Sequence, residues 1–233
     1  MAAPCLEYLM TETALPKLPE TSTAALRFLA LGDSYTVAEG LPASASWPQQ
    51  LAQALRSDGA NLAAVEMVAA TGWTAADLLA AISASKPRPP FALVSLQIGV
   101  NDQYRGHDLR RYRKQFAELL LHAVALAGRD KSQVLVLSIP DWGVTPFAAN
   151  DARGARRIGR EIDAFNAEAK ALCQKSGVRF IDITESSRER GGDADLLAAD
   201  GLHPSATMYA RWVQIIRQQT AAPHLPTALA GGH

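Results

Sequence analysis

The sequence predicts an α/β fold: a parallel sheet with helices packed on both faces. Two observations lead there. Five short apolar runs alternate along the chain with five longer stretches of helical spacing, which is the pattern of repeated strand–helix–strand units. Each connection is also long enough to return the chain parallel to where it started.

The first strand is read at residues 25–31 (ALRFLAL), a short apolar run that stops at Gly32. Residues 46–58 (SWPQQLAQALRSD) follow as a helix. Ser46 stands at the N-cap, Pro48 in the first turn, where its missing N–H costs nothing, and Gly59 just past the end. A second strand is placed at 62–69 and a helix at 74–85, broken by the KPRPP of residues 86–90. Residues 91–98 form a third strand, nearly all apolar, as suits a strand covered on both faces. A long helix over 108–127 carries Leu109, Tyr112, Phe116, Leu119, Leu120 and Ala123 at helical spacing. The fourth strand is set at 134–139. The next helix is 155–175, with Ile158, Ile162, Phe165, Ala169 and Leu172 in one stripe. The fifth strand is 178–183, and a last helix runs over 204–220. No internal repeat or low-complexity tract interrupts this order. The expected organisation is an N-terminal extension (1–24), one domain (25–220) and a C-terminal tail (221–233).

Composition narrows the function classes. The chain has 233 residues, 48% of them hydrophobic, which is enough for one sizeable core. Lys+Arg and Asp+Glu both number 23, so net charge is zero and bulk charge favours neither nucleic acid nor an anionic membrane. The basic cluster Arg110, Arg111, Arg113 and Lys114 is read as a solvated helix face. The two cysteines, Cys5 and Cys173, form no CxxC pair and no zinc spacing, so free thiols and no metal are expected, with Cys173 buried. No apolar run approaches the ~20 residues of a spanning helix. The N-terminus lacks a signal-peptide pattern, so a cytoplasmic location is expected.

In open parallel sheets ligands bind beyond the carboxyl ends of the strands. Those ends carry Gly32-Asp33-Ser34, Thr71-Gly72-Trp73, Gly99-Val100-Asn101-Asp102 and Asp141-Trp142-Gly143, and, before the last helix, Asp200-Gly201-Leu202-His203-Pro204. A serine hydroxyl needs an adjacent base to become a nucleophile. Ser34 on a turn after a strand, His203 at the start of a helix and Asp200 three residues before it supply nucleophile, base and orienting acid. Acyl transfer also needs donors for the developing oxyanion. The N–H of Ser34, the N–H of Gly72 and the amide of Asn101 are the candidates.

These blocks, GDS, a glycine after the second strand, GxND and DxxHP, resemble those of the SGNH (GDSL-like) hydrolase superfamily from about Leu26 to about Arg217. The resemblance implies a flavodoxin-like three-layer αβα sandwich with a five-stranded parallel sheet. It also implies metal-free and cofactor-free hydrolysis of esters or thioesters. Ser34, Gly72, Asn101 and His203 match the four naming residues and Asp200 the triad acid. The sequence departs in reading GDSY for GDSL and in lacking the asparagine often found shortly before the second-block glycine. The expected substrate is a small-molecule ester, with short to medium acyl chains. Thioesters, carbohydrate deacetylation and acyl transfer are the alternatives within the superfamily.

Other roles compete for the same residues. Asp200 also reads as a cap of the last helix, and Asp33 and Asp102 as structural carboxylates fixing their loops. Asp193 and Asp195 are alternative acids farther from His203. His107, His122, His224 and His233 have no partner pattern. Trp73, Tyr104 and Trp142 are candidates to line the substrate site, with Arg105 beside Tyr104 as part of a cover. A non-catalytic flavodoxin-like binding module is the rival class, but residues 32–36 form neither a P-loop nor a GxGxxG turn, and such a role leaves His203 unexplained. The G-x-S-x-G elbow of α/β-hydrolases is absent, since Thr36 stands two after Ser34.

Overall fold

The computed structural model describes residues 24–220. The C-terminal tail, the extension up to residue 23, Cys5, His224 and His233 lie outside the described residues. In chain order the elements are β1 (Phe28–Gly32), α1 (Ser34–Val37), α2 (Trp47–Ser57), β2 (Glu66–Ala69), α3 (Ala75–Ser85), β3 (Leu93–Gln97) and α4 (Val100–Tyr104). Then come α5 (Leu109–Leu126), β4 (Val134–Leu137), α6 (Ala155–Ser176), β5 (Arg179–Ile181), α7 (Thr184–Arg190) and α8 (Ala206–Thr220).

The five strands form one parallel sheet in the order β2-β1-β3-β4-β5. The chain moves outward from β1 to β2, then crosses back to β3, so the strand order reverses between β1 and β3. That reversal leaves a crevice beyond their carboxyl ends, the place where doubly wound sheets bind ligands. Helices α3, α5 and α6 pack on one another along one face, and α2 packs with α8 on the other. This is the predicted three-layer arrangement. β1, β3 and β4 are buried along their whole length, while the edge strands β2 and β5 are partly exposed.

Helix starts follow local chemistry. Thr74 and Asp77 form a capping box at α3, and Asp108 caps α5 by accepting from the N–H groups of Arg110 and Arg111. Ser46 holds the N-cap position of α2, but its hydroxyl is buried and makes no capping bond; Pro48 in the first turn is as expected. The stripes of α5 and α6 face the core as read, except that Cys173, fully buried with a free thiol, takes the inward place that Leu172 only partly shares. Trp47, Trp142 and Trp212 are almost fully buried. Each such ring contributes on the order of 4–6 kcal/mol of gross apolar burial. The indole N–H of Trp47 donates to Gln97 Oε1 at 2.9 Å, and Gln97 Nε2 donates to the Ser138 carbonyl at 3.2 Å. One buried polar chain therefore ties α2 to the ends of β3 and β4.

Several boundaries differ from the sequence reading. Only Glu66–Ala69 of the run 62–69 pairs with β1, Leu62 making a single bridge to Leu26. The last helix begins at Ala206, not at 204. Pro204 instead makes an antiparallel bridge with Leu197, so His203 sits in a turn ahead of α8 rather than in its first turn. Arg110, Arg111, Arg113 and Lys114 are exposed, as expected. No helix among the described residues is long and apolar enough to cross a membrane.

Candidate active site

Ser34 is the first residue of α1, directly after β1. Asp33 caps that short helix by accepting from the Tyr35 N–H at 3.1 Å. The turn is tight because Gly32 has no side chain: a Cβ there would lie 2.0 Å from Thr36 Oγ1 and 2.7 Å from the Gln97 carbonyl. As the first helical residue, Ser34 carries a main-chain N–H with no acceptor inside its helix.

His203 is held from two directions. Asp200 Oδ2 lies 2.5 Å from its Nδ1, and Asp200 Oδ1 accepts from the main-chain N–H of both Leu202 and His203 at 2.9 Å. The Tyr35 ring packs against the imidazole at 5.6 Å between centroids and against Trp212 at 6.2 Å. Asp200 thus closes the turn that presents His203, and does not cap α8. Partial burial pushes the Asp200 carboxyl up, but the bonds from the His203 ring and from the two N–H groups outweigh it and hold it below the usual carboxylate range. Nδ1 being occupied, Nε2 is the ring nitrogen left for other work.

The loops after β2 and β3 are stitched together beside Ser34. Asn101, on α4, donates from Nδ2 to the Trp73 carbonyl at 2.9 Å, which fixes the amide and leaves its second N–H. Gly72 stands at φ +80°, and its carbonyl accepts from Arg105 at 2.7 Å. Its N–H has no acceptor among the described residues. Gly99 turns the chain into α4 at φ +126°, with the Tyr112 ring so close that a Cβ would sit 2.6 Å from it. Buried Asp102 accepts from the Ala75 N–H at 2.8 Å and lies 3.2 Å from His107 Nδ1. So Asp102 and Asp33 do the structural work expected of them, and His107, whose sequence surroundings show no partner pattern, lies against Asp102.

Ser34, Gly72, Asn101 and His203 line one cleft of about 170 Å³, open to solvent, together with Tyr35, Thr71, Val100, Tyr104, Trp142, Phe147 and Leu202. Among the described residues no hydrogen bond joins Ser34 to His203, although both face this space. In ligand-free sites such bonds are often long. The cleft is asymmetric. On the β2 side Thr71 donates its hydroxyl to Glu39. On the β3–β4 side Tyr104, Trp142 and Phe147 form an aromatic wall with centroids 5.4–6.4 Å apart.

Of the three expected lining residues, Tyr104 and Trp142 are on the wall and Trp73 is not. Its ring packs half-buried against the core, and its carbonyl orients Asn101. Arg105 anchors Gly72 instead of covering the cleft. Asp193 and Asp195 both pair with Arg190. Phe147 on the same wall carries no signal in the sequence, because it belongs to a five-residue 3₁₀ turn at Pro146–Asn150 with no periodicity.

The sequence pattern of the GDSL-like Lipase/Acylhydrolase family matches residues 30–211. The chain is similar to Esterase TesA of Pseudomonas aeruginosa, 26% identical over 194 residues, covering 82% of this chain and 86% of the relative. Among solved structures, TesA superposes with a TM-score of 0.66 at 26% identity, covering 85% of this chain and 99% of that one. AlinE4, an SGNH-hydrolase family esterase, gives 0.58 at 25% identity, covering 85% and 94%.

Proposed function

The chain belongs to the GDSL-like lipase/acylhydrolase family, and on that premise we propose that it hydrolyses carboxylic esters of short to medium acyl chains through an acyl-enzyme on Ser34. The observation that carries this reading is the short Asp200–His203 contact on the rim of the cleft that Ser34 and Asn101 also line.

Ser34 Oγ attacks the ester carbonyl carbon while His203 Nε2 takes the hydroxyl proton. Asp200, ionised because its hydrogen bonds hold its pKa down, keeps the proton on Nδ1 and stabilises the imidazolium. The carbonyl oxygen becomes an oxyanion facing the N–H groups of Ser34 and Gly72 and the second N–H of Asn101. These donors sit on three neighbouring strand ends and are already oriented, so little reorganisation accompanies the charge. The tetrahedral intermediate collapses, the C–O bond to the alcohol breaks, and the alcohol leaves with the proton from His203. Water then attacks the acyl-enzyme, giving its proton to His203, and the second collapse returns that proton to Ser34 and releases the carboxylic acid. An apolar acyl group is matched by the aromatic wall, and the polar Thr71–Glu39 side suits a more hydrophilic substituent.

The test is hydrolysis of p-nitrophenyl esters, acetate through palmitate, by the wild type and Ser34→Ala side by side, with fluorophosphonate labelling of both. Activity peaking at one chain length in the wild type, and lost with the label in the variant, is the expected result. Undiminished hydrolysis by the variant would overturn the role of Ser34. A peak at palmitate would overturn the acyl-length preference.

A further inference from the structure

Behind the aromatic wall lies one charged side chain that does not itself line the cleft. Arg153 follows the Pro146–Asn150 turn and precedes α6. Its guanidinium stands 5.0 Å from the Trp142 ring centroid and 5.5 Å from that of Tyr104, within the range of a cation–π contact for both. Its Nη1 donates to the Tyr104 carbonyl at 3.3 Å. Nε and Nη2 grip the two oxygens of Asp151 at 2.9 and 2.8 Å, and Nη1 lies 3.7 Å from Glu161. Glu161 Oε2 accepts from Gln103 Nε2 at 2.8 Å, and buried Gln103 in turn accepts from the indole N–H of Trp142 at 2.8 Å. The circuit closes on itself: Trp142, Gln103, Glu161, Arg153 and back to Trp142. It fixes the indole by its edge and by its face, and it holds Tyr104, 46% exposed on the rim, by ring and carbonyl.

Nothing in the ester chemistry requires this circuit, and the surface turn is already secured by main-chain bonds through Asp151 and Gly154 and by the Asp151–Arg153 fork. We propose that Arg153 is a positioning residue for substrate choice: by fixing Tyr104 and Trp142 as one apolar wall it sets the preference of the cleft for a longer acyl chain over acetate. An acetyl group is too small to cover three rings, so only longer chains gain from a wall held in place. A lysine does not replace the arginine, because it has no planar fork to grip Asp151 while lying on two rings. The inference rests on the esterase reading of the cleft for its kinetic consequence, but not for the binding of an apolar chain.

The experiment compares the wild type with Arg153→Met, Arg153→Lys, Asp151→Asn and Arg157→Met. KM and kcat are measured on p-nitrophenyl acetate and octanoate, and binding of free octanoate is followed by quenching of tryptophan fluorescence. Arg153→Met and Arg153→Lys are expected to raise the octanoate KM by about 5- to 30-fold with kcat changed less than about twofold, to shift the acetate KM far less, and to weaken octanoate binding by a similar factor. Asp151→Asn, which loosens the fork without touching a ring, is expected to move both readouts the same way by a smaller factor and serves if the Arg153 variants fold poorly. Arg157 also pairs with Glu161 but touches neither ring, so its variant should match the wild type. An unchanged octanoate-to-acetate ratio with unchanged octanoate binding in the Arg153 variants overturns the proposal. So does an Arg157 variant that behaves like them, or a wild type that binds no octanoate. A wild type that binds octanoate yet cleaves no ester sinks the esterase reading instead, and the binding comparison then decides the role of Arg153.

Discussion

Asp200 holds His203 twice: one carboxylate oxygen sits 2.5 Å from the ring Nδ1, and the other accepts the main-chain N–H of His203 at 2.9 Å. The two contacts can be separated by substitution. Asp200→Asn keeps an oxygen for the N–H groups of Leu202 and His203 but turns an NH₂ toward Nδ1. The imidazole then carries its proton on Nε2 and cannot accept one from Ser34. Loss of kcat by about 10³–10⁴, with KM and melting temperature close to wild type, is expected. Asp200→Ala should lose the same activity and also about 1–3 kcal/mol of stability, because the turn N–H groups lose a charged acceptor. Steady-state kinetics with thermal denaturation separates the two. Wild-type kcat in Asp200→Asn would mean that some other group orients the imidazole.

Ser34 and His203 are proposed to act as one unit, so their losses should not add. Ser34→Ala is expected to lower kcat by at least ~10³ and His203→Ala by a comparable factor, with the double variant no worse than the single ones. The residual rate comes from donors that neither substitution removes. Independent, multiplying losses on p-nitrophenyl butyrate would place the two residues in separate steps.

Asn101 divides its amide between two tasks. One N–H is spent on the Trp73 carbonyl, and the other is free for the oxyanion. Asn101→Ala should therefore reduce kcat about 10²–10³-fold with little change in KM. It should also lose about 0.5–1.5 kcal/mol from the missing hydrogen bond between the two loops. A change confined to KM would make Asn101 a ground-state contact and leave the oxyanion to the two main-chain donors.

What the sequence made legible was whatever repeats or carries unusual residue types. The alternation of apolar runs with 3.6-residue stripes gave the sheet and its two helical layers, and the blocks at strand ends singled out Ser34, Asn101 and His203, which line one cleft, and Asp200, which contacts His203. Short and polar elements escaped. α4 and α7 span five and seven residues, too few for a periodic stripe, and α7 reads TESSRER, with no apolar face. Pro204 looked like the first turn of a helix because proline favours that position, but the bridge to Leu197 claims it first. Trp73 is absent from the cleft lining because its ring packs against the core, which the turn pattern does not reveal. The partnership of His107 with Asp102 and the circuit around Arg153 join groups whose pairing no local pattern encodes.

Beneath Ser34, Asp33 is almost wholly buried. Burial pushes its carboxyl up to about 8; the bond from the Tyr35 N–H opposes the rise, and the neighbouring Asp102 charge adds to it. In the unfolded chain the same group titrates near the ordinary aspartate value of 3.8. Between those two values the folded protein holds a proton that the unfolded chain has released, so stability falls as pH rises across the window, by at most about 1.4 kcal/mol per pH unit for one proton. Asp33→Asn keeps an oxygen for the Tyr35 N–H and removes the titration. Calorimetric melting temperatures should show the variant gaining on the wild type steadily from about pH 4 to about pH 8, with the difference constant outside that range. A difference that does not change with pH would mean that Asp33 ionises as freely in the fold as in the unfolded chain. The carboxyl under the nucleophile would then be charged at neutral pH, and its field would raise the cost of building a second negative charge on the oxyanion above it.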